Sequence, residues 1–269
     1  MANTLIEKNL LRQRIKILIA FLLSAFIYIS KTNAQLCQGS LGDPVVNITF
    51  GSGSNPGPPL GSVTNYTYAD HDCPADGYYT IANSTPACFG DTWHSVQDHT
   101  RGDVNGYMMV INASFNPGDF FVKTVTGLCP NTTYEFAAWI YNVLQSYACG
   151  GNGIKPNITF NIETTTGTVL QSYKTGDIPF GFDWAQYGFF FSTTTSVNSV
   201  VLRMTNNAPG GCGNDLLLDD ITFRACGPLV TAEISGAPDS VNVCTGDNSL
   251  FTLQASVSAG YTNPVYHWH

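Results

Sequence analysis

Asp219 is the residue whose setting most demands a chemical partner. It lies in Leu216-Leu-Leu-Asp-Asp-Ile-Thr-Phe223. Strand alternation places Leu217, Asp219, Ile221 and Phe223 on one face and Leu216, Leu218, Asp220 and Thr222 on the other. A carboxylate on an apolar face must be hydrogen-bonded, paired or bound to a cation, because burying it bare costs too much. Two partners answer that need: backbone N–H groups of a neighbouring loop, or a structural calcium, whose hard oxygen ligands suit Asp219. Glu135 and Glu163 are the residue types that glycoside cleavage uses, provided one face carries both. Asp70, His71, Asp72, Asp76, Trp93, His94, Asp98 and His99 form a third concentration. It lacks the two-His helix spacing of a zinc protease and any defensible Ser-His-Asp order, and reads as solvated loop. Arg101-Gly-Asp103 spells an integrin-type tripeptide of a kind that arises by chance.

These groups need strands to position them. From Thr133 to Tyr141, Tyr134, Phe136, Ala138 and Ile140 make an apolar face, so Glu135, Ala137, Trp139 and Tyr141 look the other way. Aromatics beside a carboxylate are unusual on a solvent face. Asn157 to Glu163 repeats the pattern, with Ile158, Phe160 and Ile162 inward and Asn161 and Glu163 outward. Tyr187 to Ser192 and Val200 to Thr205 alternate as half-buried strands, and Val45 to Phe50 is the expected first strand, ahead of a Pro- and Gly-rich loop from Gly51 to Gly61. About seven or eight strands at this spacing predict an all-β sandwich.

The first 34 residues read as a secretory signal peptide: Arg12, Arg14 and Lys16, an apolar run from Ile17 to Ile29, then Thr32-Asn-Ala34. The apolar run is shorter than the roughly 20 residues of a comfortable membrane span, so no span is expected in the mature chain. Of 11 Lys+Arg and 19 Asp+Glu in the chain, five and one fall in this leader, leaving a net charge near −12. That excludes binding to a phosphate backbone, which needs basic patches. All eight cysteines follow the leader, and export makes disulfides the default. The expected pairs are Cys73 with Cys88, Cys149 with Cys212 in two Gly-rich loops, and Cys37 with Cys226 tying the chain ends. Seven cysteines precede Pro228, so one is free or paired elsewhere. After Gly227-Pro228 the pattern restarts, and residues 229–269, with Cys244 and Trp268, look like the opening of an incomplete Ig-like or PKD-like module.

Leu218-Asp-Asp-Ile-Thr-Phe223, with Cys226 just after it, resembles the last strand of galactose-binding-like jelly rolls, including MAM domains and several carbohydrate-binding modules. The Asp98-His-Thr loop ahead of Gly106-Tyr-Met-Met109 is similar to a MAM pattern. Cys88-Phe-Gly-Asp-Thr-Trp93, Thr133-Tyr-Glu-Phe-Ala-Ala-Trp139, Lys155-Pro-Asn-Ile-Thr-Phe160 and Asn206 to Asp215 resemble the N-terminal domain of exported surface proteins of gliding, Bacteroidetes-type bacteria. The resemblance implies a jelly roll over residues 35–228, a structural calcium beside Asp219 with backbone carbonyls near Thr49 to Ser52, and secretion or cell-surface display.

In the resembled modules one sheet face stacks aromatic rings on sugars and bonds their hydroxyls with amides and carboxylates. Trp139, Tyr141, Glu135, Asn161, Glu163 and Arg203 are the expected set here; the alternative packs Trp139 and Tyr141 beneath a long loop. The expected function is non-catalytic glycan binding or adhesion. The alternatives are a spacer that contacts a cell-surface protein, as MAM domains do, or an accessory domain of a polysaccharide hydrolase. Six Asn-x-Ser/Thr triplets, at Asn47, Asn65, Asn83, Asn112, Asn131 and Asn157, signify glycosylation only in a eukaryotic secretory route.

Overall fold

The computed structural model describes residues 36, 37, 39–228, 230–236, 248–257 and 265. The leader expected over residues 1–34 lies outside them, as does most of residues 229–269. In chain order the strands are β1 (Leu41–Ile48), β2 (Thr67–Tyr68), β3 (Tyr78–Ala82), β4 (Ser84–Thr85), β5 (Val96–Gln97), β6 (Met108–Asn112), β7 (Gly118–Thr126) and β8 (Thr133–Asn142). They continue with β9 (Asn157–Glu163), β10 (Val169–Asp177), β11 (Ala185–Ser192), β12 (Ser199–Asn206), β13 (Leu216–Cys226), β14 (Val230–Ile234) and β15 (Leu253–Val257). The larger sheet runs β11-β8-β13-β6-β3-β2, with β1 also on β13, and the smaller runs β10-β9-β12-β7. The result is an all-β jelly-roll sandwich. β14 and β15 pair antiparallel as a separate ribbon.

Alternation builds the core between the sheets. Tyr134, Phe136, Ala138 and Ile140 of β8 meet Ile158, Phe160 and Ile162 of β9 and Val200, Leu202 and Met204 of β12. The Phe136 ring lies 5.1 Å from Phe160 and 5.4 Å from both Phe189 and Phe223, at the tilted angles aromatic pairs prefer. A shift of register between Met204 and Thr205 against β7 buries both Phe120 and Phe121, which strict alternation would separate.

β13 is the strand on which the larger sheet turns. It pairs β8 along its length, β6 through Leu216 to Leu218, and β1 from Ile221 to Cys226. Where its partner changes, the register shifts between Asp219 and Thr222, and Asp220 takes φ 43°. This bulge corrects the expected face. Leu216 and Leu218 share the inner core with Ile221 and Phe223, whereas Leu217 belongs to a second apolar cluster on the outer side. Asp219 follows Leu217 outward.

That second cluster gathers Trp93, Met108, Val110, Tyr141, Leu144 and Leu217. Two of the three disulfides staple its loops: Cys73–Cys88 and Cys149–Cys212. The third, Cys37–Cys226, joins the ends. All three are the expected pairs. Cys129 is the one free cysteine among the described residues; Cys244 lies outside them.

Candidate ligand-binding face

Only part of the outer face of the larger sheet is covered by the second core; the rest forms a shallow cleft. Thr222 of β13 lies on its floor, and the small residues beside it, Ala137 on β8 and, opposite that, Gly188 on β11, are buried beneath their neighbours. A Cβ at Gly188 would fall 2.3 Å from the Phe136 carbonyl oxygen and 2.8 Å from Leu36, so only glycine fits. Trp139 and Gln186, cross-strand neighbours, wall one end, and Glu135 and Arg224, also neighbours, wall the other. Asn47, Thr49 and Thr100 line the side toward β1. The cleft holds about 280 Å³, near the lower edge of the roughly 300–1,000 Å³ range of small-ligand sites.

The half-buried Trp139 indole is held from one side. His99 stacks on it at 3.8 Å and 19°, and the edge of Trp184 packs on His99 at 5.8 Å. His99 Nδ1 lies 2.7 Å from Asp220 Oδ2, and Thr100 Oγ1 donates to Asp220 Oδ1 at 2.7 Å. The bulge that turns Asp220 outward thus anchors the loop that fixes the indole. At the far end, Glu135 is nearly buried and its Oε2 accepts from the Cys37 backbone N–H. No Arg224 ion pair forms among the described residues.

Behind the Trp139 end, carboxylates crowd together. Asp219 is fully buried; its Oδ2 accepts from His99 N at 2.9 Å and its Oδ1 from Asp220 N at 2.8 Å. Burial pushes its carboxyl up to about 8, with Asp220 and Asp98 adding to the rise against those two hydrogen bonds. Burial and the Asp103 charge also raise Asp98, whose Oδ2 is buried without a partner among the described residues. Gly106 closes over it, where a Cβ would come within 2.4 Å of that oxygen. Among the described residues no group of three or more His, Cys, Asp or Glu side chains forms a ready metal cage. The backbone donors anticipated for Asp219 are present, and an orphaned buried oxygen amid like charges fits a hard cation as well.

The expected site set divides. Trp139 and Glu135 line one cleft. Tyr141 shares their side of β8 but is buried in the second cluster, donating its hydroxyl to the Gly181 carbonyl at 3.1 Å; it packs beneath the loop carrying Trp184. Asn161, Glu163 and Arg203 sit on the outer face of the smaller sheet, across the core from Trp139. There Arg203 donates to Glu163 at 2.9 Å and Asp119 at 2.5 Å, and Thr205 bonds Asp119 at 2.6 Å. The Glu163 hydrogen bond is the largest cause of the raised Arg203 guanidinium. Because the core separates Glu135 from Glu163, they cannot act as the paired carboxylates of glycoside cleavage. Gln186, Thr222 and Arg224 were not anticipated, since their neighbours follow from which strands pair.

No family model matches the chain, and no curated protein matches it. Several solved structures are similar at low identity. The CBM22-1 xylan-binding domain of Paenibacillus barcinonensis Xyn10C is 10% identical, covering 70% of this chain and 97% of that one, with a TM-score of 0.37. A CBM4 structure is 15% identical over 55% of this chain and 86% of its own, TM-score 0.32. The enzymatically active domain of bacteriophage CBA120 tailspike protein 4 is 10% identical over 55% of this chain, TM-score 0.34, and the match spans only 17% of that domain's chain.

Proposed function

We propose that this exported domain is a non-catalytic glycan-binding module and that the cleft walled by Trp139 is its binding face. The observation that carries the reading is a cleft of about 280 Å³ whose lining joins an indole fixed by His99 to Glu135 and to an Arg224 guanidinium that forms no ion pair among the described residues. A sugar ring fits such a place: its C–H face packs on Trp139, and its hydroxyls exchange hydrogen bonds with Gln186, Glu135 and Arg224. The test is affinity electrophoresis through xylan, mixed-linkage β-glucan, galactomannan and pectin. Retardation by at least one is expected, and Trp139→Ala should weaken it about thirtyfold, the loss of one interface hot spot of about 2 kcal/mol. No retardation by any of the four, or an unaffected Trp139→Ala variant, ends this reading.

Calcium is the ion proposed to relieve the carboxylates behind the cleft, held by Asp219 and Asp98. Bound there, it would supply charge neutralisation and brace the loop that carries His99. A calcium concentration one hundred times Kd should stabilise the domain by about 2.7 kcal/mol, read as a rise in Tm that Asp98→Asn with Asp219→Asn removes. An unchanged Tm in the wild-type chain would exclude the site.

A further inference from the structure

A second concavity, of about 550 Å³, lies at the rim of the smaller sheet, where β9 begins and β10 and β12 end. Its polar lining is Asn152, Lys155, Asn157, Asp177 and Asn207. Their orientations are set by a chain of hydrogen bonds. Asn157 Nδ2 donates to Asp177 Oδ1 at 2.8 Å, and Asn207 Nδ2 donates to Asn157 Oδ1 at 3.2 Å and to Thr159 Oγ1 at 2.8 Å. Asp177 Oδ2 and Asn207 Oδ1 are left as acceptors without partners among the described residues, and Lys155 Nζ, over the Phe180 ring at 5.1 Å, remains a donor. Ile154 and Pro209 supply an apolar edge.

The backbone beneath these side chains is fixed. The Cys149–Cys212 disulfide clamps the two loops, Ile154 N donates to Cys212 O at 3.0 Å, and Asn214 N donates to Ile154 O at 2.7 Å. Asn207 N also donates to Asn157 O at 2.7 Å. A ligand entering here would order little of the protein, which is the condition under which a few hydrogen bonds give measurable affinity.

We infer that this rim is a second ligand site, separate from the Trp139 cleft, and that it takes one neutral sugar residue. Two oxygen acceptors, one of them a carboxylate, match hydroxyl donors, the ammonium matches a hydroxyl or ring oxygen, and the apolar edge matches a C–H face. Asp177 disfavours an anionic ligand by like charge. With both sites filled, one chain would hold two points of a glycan or bridge two glycans.

The probes are D-glucose, D-galactose, D-mannose and D-xylose, each titrated into the isotopically labelled protein while the side-chain amide resonances of Asn157 and Asn207 are followed by NMR. Saturable shifts of both with at least one sugar are expected. Asp177→Ala and Asn207→Ala should each weaken that sugar about tenfold or more, the usual consequence of losing a hydrogen bond to a charged or oriented group. Trp139→Ala should leave it unchanged, so the fate of the Trp139 cleft in polysaccharide electrophoresis is decided separately. Unmoved amides with all four sugars overturn the inference, as does equal affinity in both rim variants with an unaltered far-ultraviolet spectrum.

Discussion

Replacing Cys37 and Cys226 together by serine is expected to lower stability by about 5 kcal/mol, the largest loss among the three bridges. A cross-link restricts the unfolded chain according to the length it closes, and the Cys37–Cys226 bridge spans 189 residues. The chain-entropy relation then ranks the bridges at about 5 kcal/mol for this one, about 4 for Cys149–Cys212 and about 3 for Cys73–Cys88, with separations of 63 and 15. Native contacts reinforce the order. Leu41 lies opposite Cys226 in the β1–β13 pairing, and the Cys37 backbone donates to Glu135, so release of this bridge loosens both the cleft and the edge beside β13. Guanidinium unfolding of the three double-serine variants measures the series. A loss for the Cys73–Cys88 variant equal to that for Cys37–Cys226 would show that loop closure does not govern their worth.

The second large effect is a fall in stability as pH rises from about 4 to 7, caused by Asp215. Its side chain is nearly buried, with Oδ1 accepting from Ala113 N at 3.0 Å and Oδ2 accepting from the fully buried Trp93 Nε1 at 3.2 Å. Burial outweighs both hydrogen bonds and pushes its carboxyl up to about 7. In the unfolded chain the group titrates near 3.9. Below that value both states hold the proton and pH has no effect. Between the two values the unfolded chain releases it and the native one retains it, so stability falls; above 7 both are ionised and the loss is complete. Three units amount to about 4 kcal/mol at most. Asp215→Asn carries no proton to lose and keeps one acceptor, so its profile should be flatter across this window. Urea midpoints at a series of pH values decide the matter, and parallel profiles for the two proteins would remove Asp215 as the cause. Asp219, raised to about 8 without a bound cation, acts in the same direction.

Much of the sandwich was legible because each strand carries its own alternation. The inward sets Tyr134/Phe136/Ala138/Ile140 and Ile158/Phe160/Ile162 are those of the structure, and all three disulfides pair as expected. The stretch holding Asp70 to His99 read as solvated loop yet contains β3, whose Tyr79, Thr80, Ile81 and Ala82 are buried together. A strand covered on both faces has no alternation to read. β7 and β10 were likewise not anticipated, and the shifted register of β7 puts Phe120 and Phe121 into the same core.

Period-two patterning decided which side chains of a strand face together, since that depends only on the backbone geometry of a few consecutive residues. It could not decide which sheet a strand joins, and so could not test the shared face that the resemblance implied for Asn161, Glu163, Arg203 and Trp139; the first three stand on the other side of the core. Nor could it foresee the exchange of β6 for β1 along β13, which creates the bulge at Asp219 and Asp220, turns Asp219 outward and brings His99 onto the indole. The bonds that Asp219 and Asp220 make to His99 and Thr100 join residues about 120 positions apart; pairing energies between distant segments choose such contacts, and nothing in the local chain records that choice.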